Sequence, residues 1–324
     1  MRFSSIVISL VFFTLKPSLI QAQTCCSGGV PISNEIGLPQ GQKGDAYILL
    51  SYDNNQLNNT YQESTEIENS SRSRSSETVL IQGTYSFTEN SGIDVLIPYI
   101  NQTRTFGSIA GTNDITETKG IGDAVVLYKR QFLIDTLGAN FLSAFAGVKL
   151  PTGETNETAS DGRFIQADLQ PGSGTIDQVA LLQFSHSLAQ RPVRKLLLNS
   201  SYINKTANTT YLGSDEYKFG NVFQVSGGLS DQFLLGNFIT EPNLLIRYRN
   251  VINDELNGGE LLNTGGSWVF ADPTLSINLN ETLTLIAKSS VPIHTNVRGE
   301  QVSPSFRFNI GVLLAFTNPK INPL

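Results

Sequence analysis

Near its end the chain alternates with a period of two. From Ser305 to Phe316, Phe306, Phe308, Ile310, Val312, Leu314 and Phe316 fall on one side, and Ser305, Arg307, Asn309, Gly311, Leu313 and Ala315 on the other. Successive side chains of a strand point to opposite faces, so the pattern predicts a strand with one wholly apolar face. Soluble strands average about five or six residues; this one matches the roughly nine to eleven of a tilted strand crossing a bilayer. Its apolar face would meet lipid.

The same period recurs upstream. Ile48, Leu50 and Tyr52 share a face within Ala46 to Asp53, as do Val79, Ile81, Tyr85 and Phe87 within Thr78 to Phe87, and Ile93, Val95, Ile97 and Tyr99 opposite Asp94. From Gly120 to Phe132, Ala124, Val126, Tyr128 and Phe132 point out while Asp123, Lys129 and Gln131 point in. Further strands are expected over Ala139 to Leu150, Thr175 to Ser187, Lys195 to Asn204, Tyr217 to Leu229, Pro242 to Asn250, Ser267 to Asn278 and Thr282 to Ile293. That makes about twelve. Long polar connections (Asn54 to Glu77, Asn101 to Lys119, Pro151 to Gly174, Val251 to Gly265, His294 to Ser303) alternate with short ones near Thr88 to Ser91, Asp135, Gln190 and Leu279 to Glu281. Long loops at one end and short turns at the other describe an up-and-down antiparallel transmembrane β-barrel, and an even strand count closes the sheet without exposed edges. A secreted β-sandwich predicts neither the loop asymmetry nor strands this long. No fixed repeat length is visible, which disfavours a solenoid.

Composition narrows the class. The charged fraction of 15% is low against about 25% for soluble domains, as expected when half of each strand faces hydrocarbon. A formal charge of −6 and 2 Cys exclude a basic nucleic-acid binder and a disulfide scaffold. After the first twenty residues no apolar run reaches the roughly 18 that a spanning helix needs.

Residues 1–22 read as a secretory signal, with Arg2, the apolar run Ile6 to Leu15 and a cleavage site after Ala22. Residues 23–43 follow as an irregular periplasmic leader, 44–316 as the barrel and 317–324 as a short tail. Cys25 and Cys26 would form a local disulfide or join another chain. The expected location is the outer membrane of a Gram-negative-type bacterium, with both termini periplasmic.

Several segments resemble one known family: Gly120-Ile121-Gly122-Asp123, Val148-Lys149-Leu150-Pro151-Thr152-Gly153 and Leu169-Gln170-Pro171-Gly172-Ser173-Gly174. Tyr217-Lys218-Phe219-Gly220, Thr264-Gly265-Gly266, Val291-Pro292-Ile293 and Gly299-Glu300-Gln301 look like later landmarks of it. It is the bacterial outer-membrane barrel family catalogued as transporters of the phenol-degradation meta-pathway. The resemblance spans about Gly44 to Phe316 and implies a transmembrane barrel with a role in passage; its substrate label does not carry over. One departure is that Phe316 is followed by Thr317 to Leu324, with Pro319 and Pro323, where such barrels usually end on the aromatic of the last strand. The insertion signal is then read internally or insertion is less efficient.

The candidate chemistry lies on inward faces. Asp123, Lys149 and Asp177 fall near the outer ends of three successive strands about 5 Å apart, a charge ladder at the mouth whose first expected role is to rigidify it. Toward the end of the chain the inward charges are mostly basic: Arg247, Arg249, Lys288 and Arg307, with Asp272 the only acid on those strands. Unpaired cations are costly in a dry core, so this basic wall predicts a wet lumen, to which Lys129 also contributes. With 2 His, His186 and His294, a hydrolase would need one of them as base; His294 lies beside Ser289 and Ser290, but no spacing shows a nucleophile oriented by a base and a third group. The expected function is passage of small solutes, aromatic or anionic compounds among them, without enzymatic chemistry, cofactor or metal. An outer-membrane lipid hydrolase and a plugged structural barrel are the alternatives. Expected partners are outer-membrane lipid, a small-molecule solute and the barrel-insertion machinery, with no nucleic acid; oligomeric state is left open.

Overall fold

The structure, a computed structural model, describes residues 41–317 apart from 69, 108–112, 134–138 and 160. The expected signal segment, most of the expected leader with Cys25 and Cys26, and the residues after Thr317 lie outside this description.

Twelve strands make one wall: β1 (Ala46–Leu57), β2 (Arg72–Thr88), β3 (Ser91–Gly107), β4 in two pieces (Asn113–Ile121 and Ala124–Leu133), β5 (Asn140–Leu150), β6 (Asp177–Leu188), β7 (Arg191–Asn204), β8 (Val222–Ser230), β9 (Phe238–Val251), β10 (Gly266–Asn278), β11 (Leu283–Val297) and β12 (Phe306–Phe316). Each pairs antiparallel with its sequence neighbours. The first and last pair with each other, from Ala46 opposite Phe316 to Gln56 opposite Phe306. The sheet is therefore a closed barrel, and no wall strand keeps a free edge.

The alternation sorts the faces. Ile48, Leu50, Ile97, Tyr128, Ile310 and Phe316 point outward and stay about half exposed, whereas Ser51, Asp53, Gln82, Asp94 and Gln102 point inward and are buried. Apolar outside and polar inside is the inverse of a soluble domain and the arrangement of a lipid-facing barrel. Among the described residues no helix is long and apolar enough to cross a membrane.

The wall departs from the sequence pattern in two places. Most of Asn101 to Lys119, which reads as a loop, extends the wall: β3 continues to Gly107 and pairs with Asn113–Ile121, while β2 begins at Arg72 rather than Thr78. Polar residues on both faces of Gln102–Thr105 and Thr116–Lys119 hide the period. The strand expected from Tyr217 divides. Asp215–Lys218 leaves the wall for a four-stranded sheet with Ala207–Tyr211, Glu255–Leu256 and Gly259–Glu260, and β8 starts only at Val222. Another small sheet joins Asn59–Gln62, Thr65–Ile67 and Glu300–Ser303. Together these sheets form a roof over the long-loop end.

Candidate functional site

Inside the short-turn half lies a cavity of about 530 Å³. Its wall is mostly uncharged and hydrogen-bonding, with Gln131, Ser143, Gln183, Asn199, Ser226 and Asn309 among its residues, interrupted by Leu49, Phe141, Leu197 and Ile286. Its charged groups are Lys195, Arg247 and Lys288 against one carboxylate, Asp272. Lys195 stands at the start of its pairing with β8, near the short turns, and Arg247 and Asp272 lie deeper.

Above the cavity the interior becomes apolar. Leu80, Leu96, Val125, Leu127, Phe145, Val179, Leu181, Ile203, Val222, Val251, Trp268, Phe270 and Val297 form one buried cluster along strands β2 to β11. Lys129 sits below it, its ammonium 5.4 Å from the centre of the Phe145 ring.

The basic wall is not made of unpaired cations. Arg247 donates from Nε to Asp272 at 2.6 Å, from Nη2 to Asp272 at 3.1 Å and to Ser290 at 2.8 Å, and from Nη1 to Gln224 at 3.2 Å. Its guanidinium lies 4.3 Å from the Phe270 ring centre. Arg307 donates from Nε to both oxygens of Asp53, at 2.9 and 2.8 Å. Arg249 lies over Trp268 at 5.5 Å, and Lys288 sits between Thr274 and Asn309 in register. Asp272 pairs with Arg247, and closure brings in Asp53 from β1 to pair with Arg307, so these two cations each have a carboxylate partner. Asp53 was findable: the β1 alternation turns it inward, and pairing of the first strand with the last sets it beside Arg307.

At the long-loop mouth Asp123, Lys149 and Asp177 do meet. Lys149 Nζ donates to Asp123 and lies 3.1 Å from Asp177, and Lys205 adds a second cation 2.9 Å from Asp177. The ladder is also a knot. Asp123 accepts from the backbone N–H of Gly153 at 3.1 Å and of Ser173 at 2.9 Å, and Thr152 Oγ1 bridges Gly122 and Ala124 at the break in β4. A Cβ on Gly172 would lie 2.4 Å from the Gly153 carbonyl oxygen. The Lys149-to-Gly153 and Leu169-to-Gly174 segments thus clamp the β5–β6 connection to the wall. That connection enters the mouth, where buried Arg74 holds Asp168 at 2.9 Å and Thr118 donates to the Leu169 carbonyl at 2.5 Å. Sequence reasoning missed Arg74 and Asp168, since both lie in stretches without a period.

The roof carries one perturbed acid. Asp254, in the β9–β10 connection, accepts from Tyr217 Oη at 2.6 Å and from the Gly220 N–H at 2.7 Å. Burial outweighs these bonds and pushes its pKa up to about 6; the same burial raises Tyr217. On the opposite rim Asp231 is pulled down to about 2, chiefly by Arg194, with Arg191 assisting. The histidines stay apart: His186 meets Asn140 at 2.8 Å, whereas His294 is exposed and Ser290 points inward to Arg247 and Asp272. Among the described residues no group of three or more His, Cys, Asp or Glu could hold a metal.

No protein-family model matches the chain, and no curated protein matches it. Solved structures do. An outer membrane channel from Pseudomonas putida F1 superposes with TM-score 0.68 at 14% identity, covering 86% of this chain and 97% of that one. The β domain of the Bordetella autotransporter BrkA gives 0.46 at 10% identity, over 85% of this chain and 100% of that one. The CymD monoaromatic hydrocarbon channel gives 0.43 at 6%, over 86% and 90%. At such identities the likeness is one of fold, and the last two superpose too loosely to bear on this chain. The motif resemblance thus stands without a matching family model, and what the chain shares with the Pseudomonas putida channel is its barrel.

Proposed function

We propose that this chain is an outer-membrane barrel through which small solutes pass by diffusion, with its long loops outside and its short turns in the periplasm. The observation that carries the reading is the polar cavity of about 530 Å³ enclosed by a wall whose outward face is apolar. Lipid covers that face without cost, while a lumen lined with amides, hydroxyls and charges replaces the hydration of a polar solute. With three cations against one carboxylate, the cavity wall favours anions mildly. The apolar cluster above it is the barrier a solute must cross, and its Trp268, Phe270 and Phe145 suit a planar ring better than a strongly hydrated ion. Small organic acids, aromatic ones among them, therefore fit both halves of the path.

The test is conductance of the full chain reconstituted in planar bilayers, followed by the reversal potential under a salt gradient. Discrete conductance steps with a mild preference for anions are expected. A barrel that inserts and folds but never conducts would sink the reading.

A further inference from the structure

Around the wall, at the height of the apolar cluster, the inward side chains change character. The cluster draws on β2 to β11, with Phe270 in register with Arg247, whereas β1 and β12 contribute Asp53 and Arg307 instead. The Arg247–Asp272 and Arg307–Asp53 pairs differ in exposure. Arg247 engages Asp272 through two nitrogens and also binds Ser290 and Gln224, and the two side chains are only 7% and 3% exposed. Buried and multiply bonded, that pair belongs to the scaffold. Arg307 donates from Nε to both oxygens of Asp53, and its side chain is 20% exposed.

Position favours Arg307 as well. The cavity below reaches Asn309, one inward position along β12 from Arg307. The pair also spans the seam where the last strand meets the first, so the polar interruption of the cluster includes the line along which the barrel closes.

We propose that the Arg307–Asp53 pair is the specificity-determining element of the path and acts on small monoanions such as carboxylates. An anion arriving beside Asn309 exchanges with Asp53 for the Arg307 guanidinium, and Asp53, the resident counter-ion, limits how tightly it is held. No bond is made or broken beyond this exchange of ion partners. The inference rests on the reading of the barrel as a solute passage.

The experiment uses the full chain in planar bilayers, with potassium chloride and then potassium acetate gradients. Asp53→Asn should raise the anion-to-cation permeability ratio about two- to four-fold, the effect of one charge close to the path at high effective dielectric. Arg307→Gln should lower it by a similar factor, and the double variant should return near wild type. Arg307→Lys, which keeps the charge, should hold the wild-type ratio, and it keeps the proposal testable if Arg307→Gln does not fold. Heat-modifiable mobility on gels reports folding for each. Folded, conducting variants with unchanged ratios overturn this inference and leave the passage reading intact. A wild type that never conducts overturns both.

Discussion

Arg74 and Asp168 are 94 positions apart in the chain and 2.9 Å apart in space, both buried in the long-loop mouth. Removing one member of a buried pair leaves the other charge without compensation, typically at about 3–5 kcal/mol. Arg74→Met should therefore lower stability by about that amount, read as the urea midpoint of the protein in lipid vesicles. Combining it with Asp168→Leu should recover a large part. Equal losses in the single and double variants would mean that the pair does not hold the β5–β6 connection in place.

The roof should depend on pH through Asp254. Its pKa is raised from an ordinary 3.8 to about 6 by burial, so the folded roof binds a proton more tightly than the unfolded one. The penalty is fully present above about pH 6 and is relieved as pH falls toward the ordinary carboxylate range, a gain of up to about 3 kcal/mol. Amide exchange at Gly220 and Asp254, corrected for intrinsic rates, should be slower at pH 5 than at pH 7.5. Asp254→Asn should flatten the difference; an undiminished difference in that variant would place the titration elsewhere.

Gly172 and Gly153 touch backbone to backbone at the mouth. Gly172→Val must push the two segments apart and loosen the knot of Asp123, Lys149 and Ser173, at a cost of about 2 kcal/mol or more. Limited proteolysis should then cut faster near the exposed Asp161–Arg163 segment, while β1–β3 stay protected. Unchanged cleavage would show that the clamp tolerates separation.

Sidedness is directly testable. Tags at Gly213 or Gly258, in exposed turns of the roof, should be reached by antibody on intact cells. Tags at Asn90 or Asn280, in the short turns, should stay hidden until the outer membrane is opened. The reverse result would turn the barrel over.

The barrel was legible because each strand buries nothing on its outer face: the period of two survives wherever lipid-facing positions must be apolar. It fades where the wall rises beyond that belt, which is why β3 past Asn101 and the Asp215–Lys218 strand read as something else. Inward charges were legible as positions but not as partners. Arg307 pairs with Asp53, and Arg74 with Asp168, through contacts between segments distant in the chain; no local spacing encodes them. The motif segments pointed to a family, and the structure gives Gly153, Gly172 and Ser173 a mechanical job in the mouth.

The pairing of β1 with β12 also fixes the order of events in assembly. Contacts between Ala46 and Phe316 are among the most distant in sequence that the described chain makes, and their loop-closure entropy must be met before those ladder bonds form. Until then both terminal strands present open edges that another chain could pair with. The barrel thus carries its greatest risk of misassembly at its last step, and a change that weakens the Arg307–Asp53 seam should slow that step more than it lowers the stability of the finished barrel.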